Sequence, residues 1–547
     1  MGANKCMFMN RKKFVFFLVS FCVFLSCVLS INFLPIGINK SLNNYTVTDD
    51  GVKICYDLFV PKENPSLNKP GIILGHGIMV NKQFLRLLAM DLSNQGFVVA
   101  ALDFRGHGRS GGSLRTGNIT TDILAVKEIL ADRGDINMSN LGYLGYSMGG
   151  GAGFQLLSND TDFKAMVSLA SSGTSEYNPP NLLILQGKFD EVVQFDRILS
   201  YMENRTGLPS TDIESNRVYG SFENGTALKL VISNVDHLLA PYSPNNIREA
   251  RIWFLKALQY EDNPPTDLIN YTLLVCLVML ASCSGIILFL YVAEFVVKKF
   301  SIRKFLSESV EDSEVKIDRE ILRKKVIKSY WYIVLPLSIP CIIFGAPLLI
   351  LPLYFMSLIV ILLSGSAVAS IFYLWYLLKR QGISFGKFLN NEFKKTSLRN
   401  ICIGIGLGLI LYGILAFSIG YIFGIVPGVS KWGWAMLYAL FMFIVNFMMT
   451  IFFRSIFGIP KTTYIGRLKE VGLISVMNFA PIAVIVLLST VVFQSLFNLQ
   501  FLIPMFPLII VINIVLSKIH TVNSDFILSS LINSVMLTIF TITLAFL

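Results

Sequence analysis

Hydrophobic and polar positions divide this chain into two unlike parts. From Lys40 to about Asp267 short apolar runs alternate with mixed segments, whereas from Leu268 to Leu547 the apolar runs are long and the polar gaps between them short. A helix needs about 20 apolar residues to cross the hydrocarbon core of a bilayer. Residues 14–34 form one such run, and eight more candidate spans fall near 269–295, 330–351, 353–378, 400–425, 433–453, 472–497, 499–517 and 525–547. The first run follows Lys5, Arg11, Lys12 and Lys13. Its length, with no A-x-A-like site after it, favours a signal anchor over a cleaved signal peptide.

In the globular part the periodicity changes repeatedly. Residues 45–60 predict a β-hairpin turning at Asp49-Asp50-Gly51. Strands are expected over 71–74, 97–102, 141–144, 164–170, 182–186 and 228–233, and helices over 82–94, 120–131, from 152 onward, and 245–258. This alternation predicts an α/β fold, a mainly parallel sheet with helices on both faces. Ligands in such sheets sit at the carboxyl ends of the strands. The expected organisation is an N-terminal transmembrane helix over 1–34, an α/β domain over 45–262, and an all-α membrane domain of about eight helices over 268–547.

Composition supports the division. The 547 residues are 54% hydrophobic and only 15% charged, too apolar for one soluble globule. The net charge of +11 is unevenly spread: residues 32–270 carry 20 Lys and Arg against 25 Asp and Glu, and the remainder carries 26 against 10. The basic excess therefore lies between spans and does not indicate a nucleic-acid partner. The polar gap 298–328 holds ten basic residues, 379–399 six and 454–469 four; Lys518 stands alone in its gap, and the intervening gaps hold only Lys431. With nine spans and a cytoplasmic N-terminus, every basic loop is cytoplasmic and the α/β domain is extracytoplasmic at the cell membrane. N-x-S/T sequons at Asn44, Asn118, Asn137, Asn159, Asn204, Asn224 and Asn270 all fall between the first span and the entry to the second, which makes glycosylation an expectation. Only Cys55 of the eight cysteines falls in the globular part, and no Cys/His cluster has metal-ligand spacing, so neither disulfide, metal nor organic cofactor is expected there.

The chemistry-bearing residues follow strands. Gly145-Tyr146-Ser147-Met148-Gly149 joins a strand to a helix in a G-x-S-x-G turn, which projects the serine hydroxyl from the sheet edge near a helix N-terminus. Asp190 follows the strand 182–186 and His237 the strand 228–233. Taken singly, Asp190 could only cap a helix and His237 only fill a loop; their joint placement argues for an orienting carboxylate and a general base. The turn Gly75-His76-Gly77-Ile78 would place the backbone N–H of Ile78, with that of Met148, on a developing oxyanion, with His76 holding the loop. Asp103 to Gly111 is a further glycine-rich turn, without the ending of a phosphate loop.

These blocks together resemble the α/β-hydrolase superfamily, especially its serine-aminopeptidase-like and dienelactone-hydrolase-like members, over residues 45–260. The resemblance implies Ser147 as nucleophile, an acyl-enzyme and water as second substrate, and leaves esters, thioesters and amides open. The gap 171–181, where relatives often insert a lid, is short, and the longer insertion is 206–226, so the site is expected to be open or roofed by the membrane half. The bilayer is the expected partner, and the substrate a small molecule, lipid or peptide. The alternative is a non-catalytic sensing module, or an accessory domain of a transporter. In the membrane half, the glycines Gly404, Gly406, Gly408, Gly413, Gly420 and Gly424 suit close helix packing, and Asn446, Asn478 and Asn513 suit interhelical hydrogen bonds.

Overall fold

A computed structural model of the chain describes residues 11–34, 37–62, 68–259, 269–302, 319–458, 463–492, 499, 502–543 and 545–546. The expected entry into the second span at 268, and 303–318 of the basic gap, lie outside them. The globular part is built on strands β1 (Ile38–Val47), β2 (Lys53–Pro61), β3 (Lys69–Gly75), β4 (Val98–Leu102), β5 (Ile136–Tyr146), β6 (Phe163–Leu169), β7 (Leu182–Gly187), β8 (Val218–Tyr219) and β9 (Leu228–Ser233). They form one sheet in the order β1-β2-β4-β3-β5-β6-β7-β9-β8. The run from β4 to β9 is parallel, and β1, β2 and β8 pair antiparallel at the edges.

Both faces are covered, because strands buried on two sides read as continuous apolar runs and alternate their side chains between two cores. Ile72, Leu74, Val99, Ala101, Val167 and Leu169 join one cluster with Leu88 and Leu92 of α2 (Arg86–Asn94) and Ile247 and Trp253 of α6 (Pro244–Phe254). Ile73, Val98, Ala100, Met166 and Ile184 join the other, with α3 (Thr120–Asp132), α4 (Met148–Leu157) and α5 (Phe195–Thr206). The first cluster does not stop at the domain's edge. It continues into Cys27 and Ile31 of α1 (Arg11–Phe33) and into Leu274 and Val278 of α7 (Ile269–Phe300).

Details depart from the sequence pattern. Residues 82–85 form a 3-10 turn before α2, and α6 ends in a π turn over Leu255–Gln259. The insertion 206–226 builds no cap; it supplies β8, which lengthens the sheet beside β9.

Six described helices are long and apolar enough to cross a membrane: Arg11–Phe33, Tyr271–Phe300, Met356–Arg380, Leu398–Phe417, Val429–Phe457 and Tyr464–Val492. A seventh candidate is the pair Arg323–Tyr330 and Val334–Phe344, bent by 56°. Pro336 lies in the first turn of the second piece, where its missing N–H leaves no intrahelical bond unmade. The last two expected spans are the shorter apolar helices Met505–His520 and Phe526–Ile542. The Asp525 carboxylate caps the second of these by accepting from the N–H groups of Ile527 and Leu528. Gly404 and Gly408 lie against the backbone of the Phe526–Ile542 helix, while Gly406 and Gly413 face open space. Asn446 donates to Ser534 at 3.1 Å, Asn478 to Asn513 at 3.3 Å and Asn513 to Ser475 at 3.1 Å, tying helices across the bundle.

Candidate active site

Register brings the loops together. Gly75 pairs with Leu102 and Gly145, Tyr146 with Leu169, and Gly187 with Ser233, so the turns after β3, β4, β5, β7 and β9 leave the sheet along one edge. Ser147 has φ +51° and ψ −115°, a conformation that costs of order 1–3 kcal/mol and persists only where packing enforces it. Here it is enforced from both sides. The Ser147 N–H donates to Leu169 O at 2.9 Å, and a Cβ at Gly149 would overlap the Gly75 backbone.

His237 Nε2 lies 3.0 Å from Ser147 Oγ, and His237 Nδ1 lies 3.0 Å from each carboxylate oxygen of Asp190. Asp190 Oδ1 also accepts from the N–H groups of Val192 and Val193 at 2.9 and 2.8 Å. A carboxylate held this way fixes the proton on Nδ1 and leaves Nε2 as an acceptor for the serine O–H. The Tyr146 hydroxyl donates to the His237 carbonyl at 3.1 Å, with the two rings 5.3 Å apart. The loop carrying Asp190 is tied to His237 again by Glu191, which accepts the His237 N–H at 3.4 Å. Burial raises the Glu191 carboxyl above its ordinary range.

The turn after β3 runs alongside. The Gly149 N–H donates to His76 O at 3.1 Å, and a Cβ on Gly77 would stand 3.0 Å from Ser147 Cβ, so Ile78 is next to the Ser147 turn. Met148 opens α4, where the first N–H groups have no intrahelical partner. His76 is fully buried, accepts the Phe104 N–H on Nε2 at 3.0 Å and donates from Nδ1 to Gly77 O at 2.7 Å. Burial lowers its pKa to about 4, with Asp103 opposing the shift. Below it, Lys82 donates from Nζ to Asp103 Oδ2 and from its backbone N–H to Asp103 Oδ1, both at 2.8 Å. Burial works against the Lys82 charge, but Asp103 and Asp57 raise its pKa above the usual lysine value; Lys82 in turn outweighs burial and holds Asp103 below the carboxylate range.

Ser147, Asp190 and His237 are thus within hydrogen-bonding reach, and Ile78 and Met148 flank the serine. The buried Lys82–Asp103 pair is not visible in the sequence, since a lysine opening a helix is ordinarily solvated. His107 was visible only as part of a glycine-rich turn; its buried ring stacks on Phe546, at the far end of the chain, with centroids 5.2 Å apart.

Residues 68–194 match the family described as serine aminopeptidase, S33. With the sheet order and the strand-end turns, that settles the fold. The globular part is an α/β-hydrolase domain. No curated protein matches the chain. Similar solved structures include an esterase from Pyrococcus furiosus (18% identity, TM-score 0.32, covering 40% of this chain and 93% of that one). Others are a putative dienelactone hydrolase from Klebsiella pneumoniae (15%, 0.31, 40% and 99%) and a predicted hydrolase from Thermoplasma acidophilum (19%, 0.29, 40% and 98%). At these scores the likenesses add nothing to the assignment, which rests on the hydrolase domain's own topology and matched segment.

Proposed function

We propose that the protein is a membrane-anchored serine hydrolase that cleaves an ester, thioester or amide through an acyl-enzyme. The observation that carries this is the chain of contacts from Asp190 through His237 to Ser147, each 3.0 Å. Ser147 Oγ attacks the substrate carbonyl carbon as His237 Nε2 takes the hydroxyl proton, and the carbonyl electrons move onto oxygen. The N–H groups of Ile78 and Met148 hold that oxyanion. Collapse expels the leaving group, which takes the proton from His237; a water then repeats the sequence and releases the acid. Asp190 keeps the imidazole in the required tautomer and stabilises its charged form.

The mouth favours a hydrophobic or lipid-borne acyl group. Phe189, 62% exposed, and Leu239, 45% exposed, stand on the turns that carry Asp190 and His237, and the domain's core continues into α1 and α7. Orientation is supported by where charges gather. Lys13, Lys298 and Lys518, from three expected cytoplasmic segments, all pair with Glu294. The expected outer ends of two spans, 420–424 and 545–546, lie against the hydrolase domain instead.

The test is labelling of intact cells with a membrane-impermeant fluorophosphonate, comparing wild type with Ser147→Ala. Labelling that requires Ser147 supports both an activated serine and an external site. Labelling only after lysis would invert the topology, and none in either condition would leave a binding module as the better reading.

A further inference from the structure

The loop that bears Ile78 is gripped from outside its own domain. Between Gly77 and Arg86 the chain carries Met79 at φ +61° and Asn81 almost fully buried. Asn81 Nδ2 donates to the carbonyl of Gly424 at 2.7 Å, across 343 positions of sequence. Gly424 follows the short helix Gly420–Phe423, which lies between the Leu398–Phe417 and Val429–Phe457 helices of the membrane half. Its φ of +60° needs glycine, and a Cβ there would stand 2.5 Å from Gln83 Oε1 and overlap the Asn81 amide.

Three neighbouring contacts make the same junction. The Phe423 ring meets Phe84 and Tyr242 with centroids 5.8 and 6.0 Å apart. Arg86 Nη1 donates to Tyr421 O at 3.2 Å while its guanidinium covers the Tyr421 ring at 4.9 Å. Met79 packs into an apolar cluster that includes Leu353, Tyr438 and Ala545, all from the membrane half. Ile78 is therefore followed by residues at 79, 81, 84 and 86 that each have a partner across the domain boundary, while Phe84 and Arg86 also hold Tyr146 and Asp57 of their own domain.

We infer that the segment Gly420–Gly424 of the membrane half is a positioning element for the oxyanion loop. The hydrolase domain supplies nucleophile, base and carboxylate from its own sheet, but it holds the Ile78 N–H at the oxyanion position only while Asn81 and Phe84 are engaged. Any rearrangement of the two helices flanking 418–428 would be transmitted to that N–H, so hydrolysis responds to the state of the membrane half. The inference rests on the serine-hydrolase reading above and assigns its site a dependence that the isolated fold does not have.

The test uses the full chain in lipid nanodiscs, with p-nitrophenyl butyrate as substrate and a trifluoromethyl ketone that forms a tetrahedral adduct on the serine. Asn81→Ala and Gly424→Ala are compared with wild type and with Leu398→Ala, an exposed residue at the opposite end of its helix. Asn81→Ala keeps the test decisive if Gly424→Ala fails to fold. A displacement on the order of 1 Å costs about 100-fold when it falls on a catalytic group. The expected result for Asn81→Ala is kcat lower by about 10–100-fold, with KM and Tm nearly unchanged and a parallel loss of affinity for the ketone. Gly424→Ala shows the same loss in kcat and ketone affinity together with a lower Tm from its strained backbone, and Leu398→Ala stays at wild-type values. A purely structural contact would lower Tm without the matched loss in kcat and ketone affinity, and that outcome overturns the inference. So does unchanged kcat in both variants, provided wild type hydrolyses the ester and labels at Ser147. If wild type does neither, the serine-hydrolase reading fails first and the inference falls with it.

Discussion

The two sides of the candidate site are built differently. On the nucleophile side, Ser147, Asp190 and His237 stand on turns after β5, β7 and β9, and the contacts that fix them come from the same sheet and its turns: Leu169 and Tyr146 of the strands, and Glu191, Val192 and Val193 after β7. On the oxyanion side, the turn after β3 rests on a buried ion pair below and on the membrane half beside it. One side is therefore a property of the fold, while the other is a property of the whole chain. A hydrolase domain cut free of its membrane half would keep the Ser147–His237–Asp190 contacts and lose part of the support for the turn after β3.

Replacing Ser147 by Ala breaks the nucleophile side most completely. Activity is expected to fall by about 10⁶-fold with thermal stability retained, since a triad acts as a unit and loses nearly everything with its nucleophile. Ester hydrolysis and fluorophosphonate labelling on the purified full chain check this; residual hydrolysis above one per cent would mean another residue attacks. Asp190→Asn should cost about 10⁴-fold, mainly in kcat, because an amide no longer enforces the Nδ1–H tautomer. A loss under tenfold would remove Asp190 from its orienting role. Neither change should alter the contacts of Asn81 and Phe84 with the membrane half, which is what separates the two sides.

Lys82→Met tests the other side. Lys82 and Asp103 are fully buried, and removing one partner leaves an uncompensated charge beneath the oxyanion loop. Breaking such a pair costs about 3–5 kcal/mol. A Tm lower by about 10 °C is expected, because each kcal/mol shifts a domain of this size by roughly 2–4 °C. Adding Asp103→Asn should recover part of it. Were Lys82→Met to leave Tm unchanged, the pair would not be what holds the loop from below.

How far all this could be read in advance follows from the range of the interactions. Strand 182–186 is legible because a central parallel strand buried on both faces appears as a nearly continuous apolar run, Leu182 to Leu185, whereas 228–233 is interrupted by Lys229 and is read from Leu228, Leu230, Val231 and Ile232; polar turns follow at Lys188 and Asn234. The serine turn is legible because its glycines answer to steric demands within five residues. The edge strand β8 escaped because it is only two residues long, although its partner β9 follows about ten residues later, and helix α5 escaped although Ile198, Tyr201 and Met202 give it one buried face. Gly424 reads in sequence like Gly404 and Gly408, another small residue in an apolar stretch, yet only those two lie in a helix–helix contact; Gly424 faces a polar side chain of the other domain. Nothing local distinguishes them, since the partner that does is 343 positions away.

The smallest effect expected is a pH dependence centred on the oxyanion side. His76 accepts the Phe104 N–H on Nε2 and is surrounded by Asp103, Lys82, His107 and, from the membrane half, Lys431. Its pKa is lowered from 6.5 to about 4, so between those values the unfolded chain binds a proton that the folded one refuses. Stability is therefore full above pH 6.5 and is lost as pH falls towards 4, by about 3 kcal/mol in all from this group. His107, also held well below its ordinary value by burial, adds a loss of the same sign. Asp103, held low, begins to contribute only below the ordinary carboxylate range. Tm measured from pH 7.5 to 4.5 should fall more steeply in wild type than in His76→Gln, whose amide can still donate to Gly77 O and accept from Phe104. Parallel slopes would mean the loop's stability does not depend on a neutral ring at position 76.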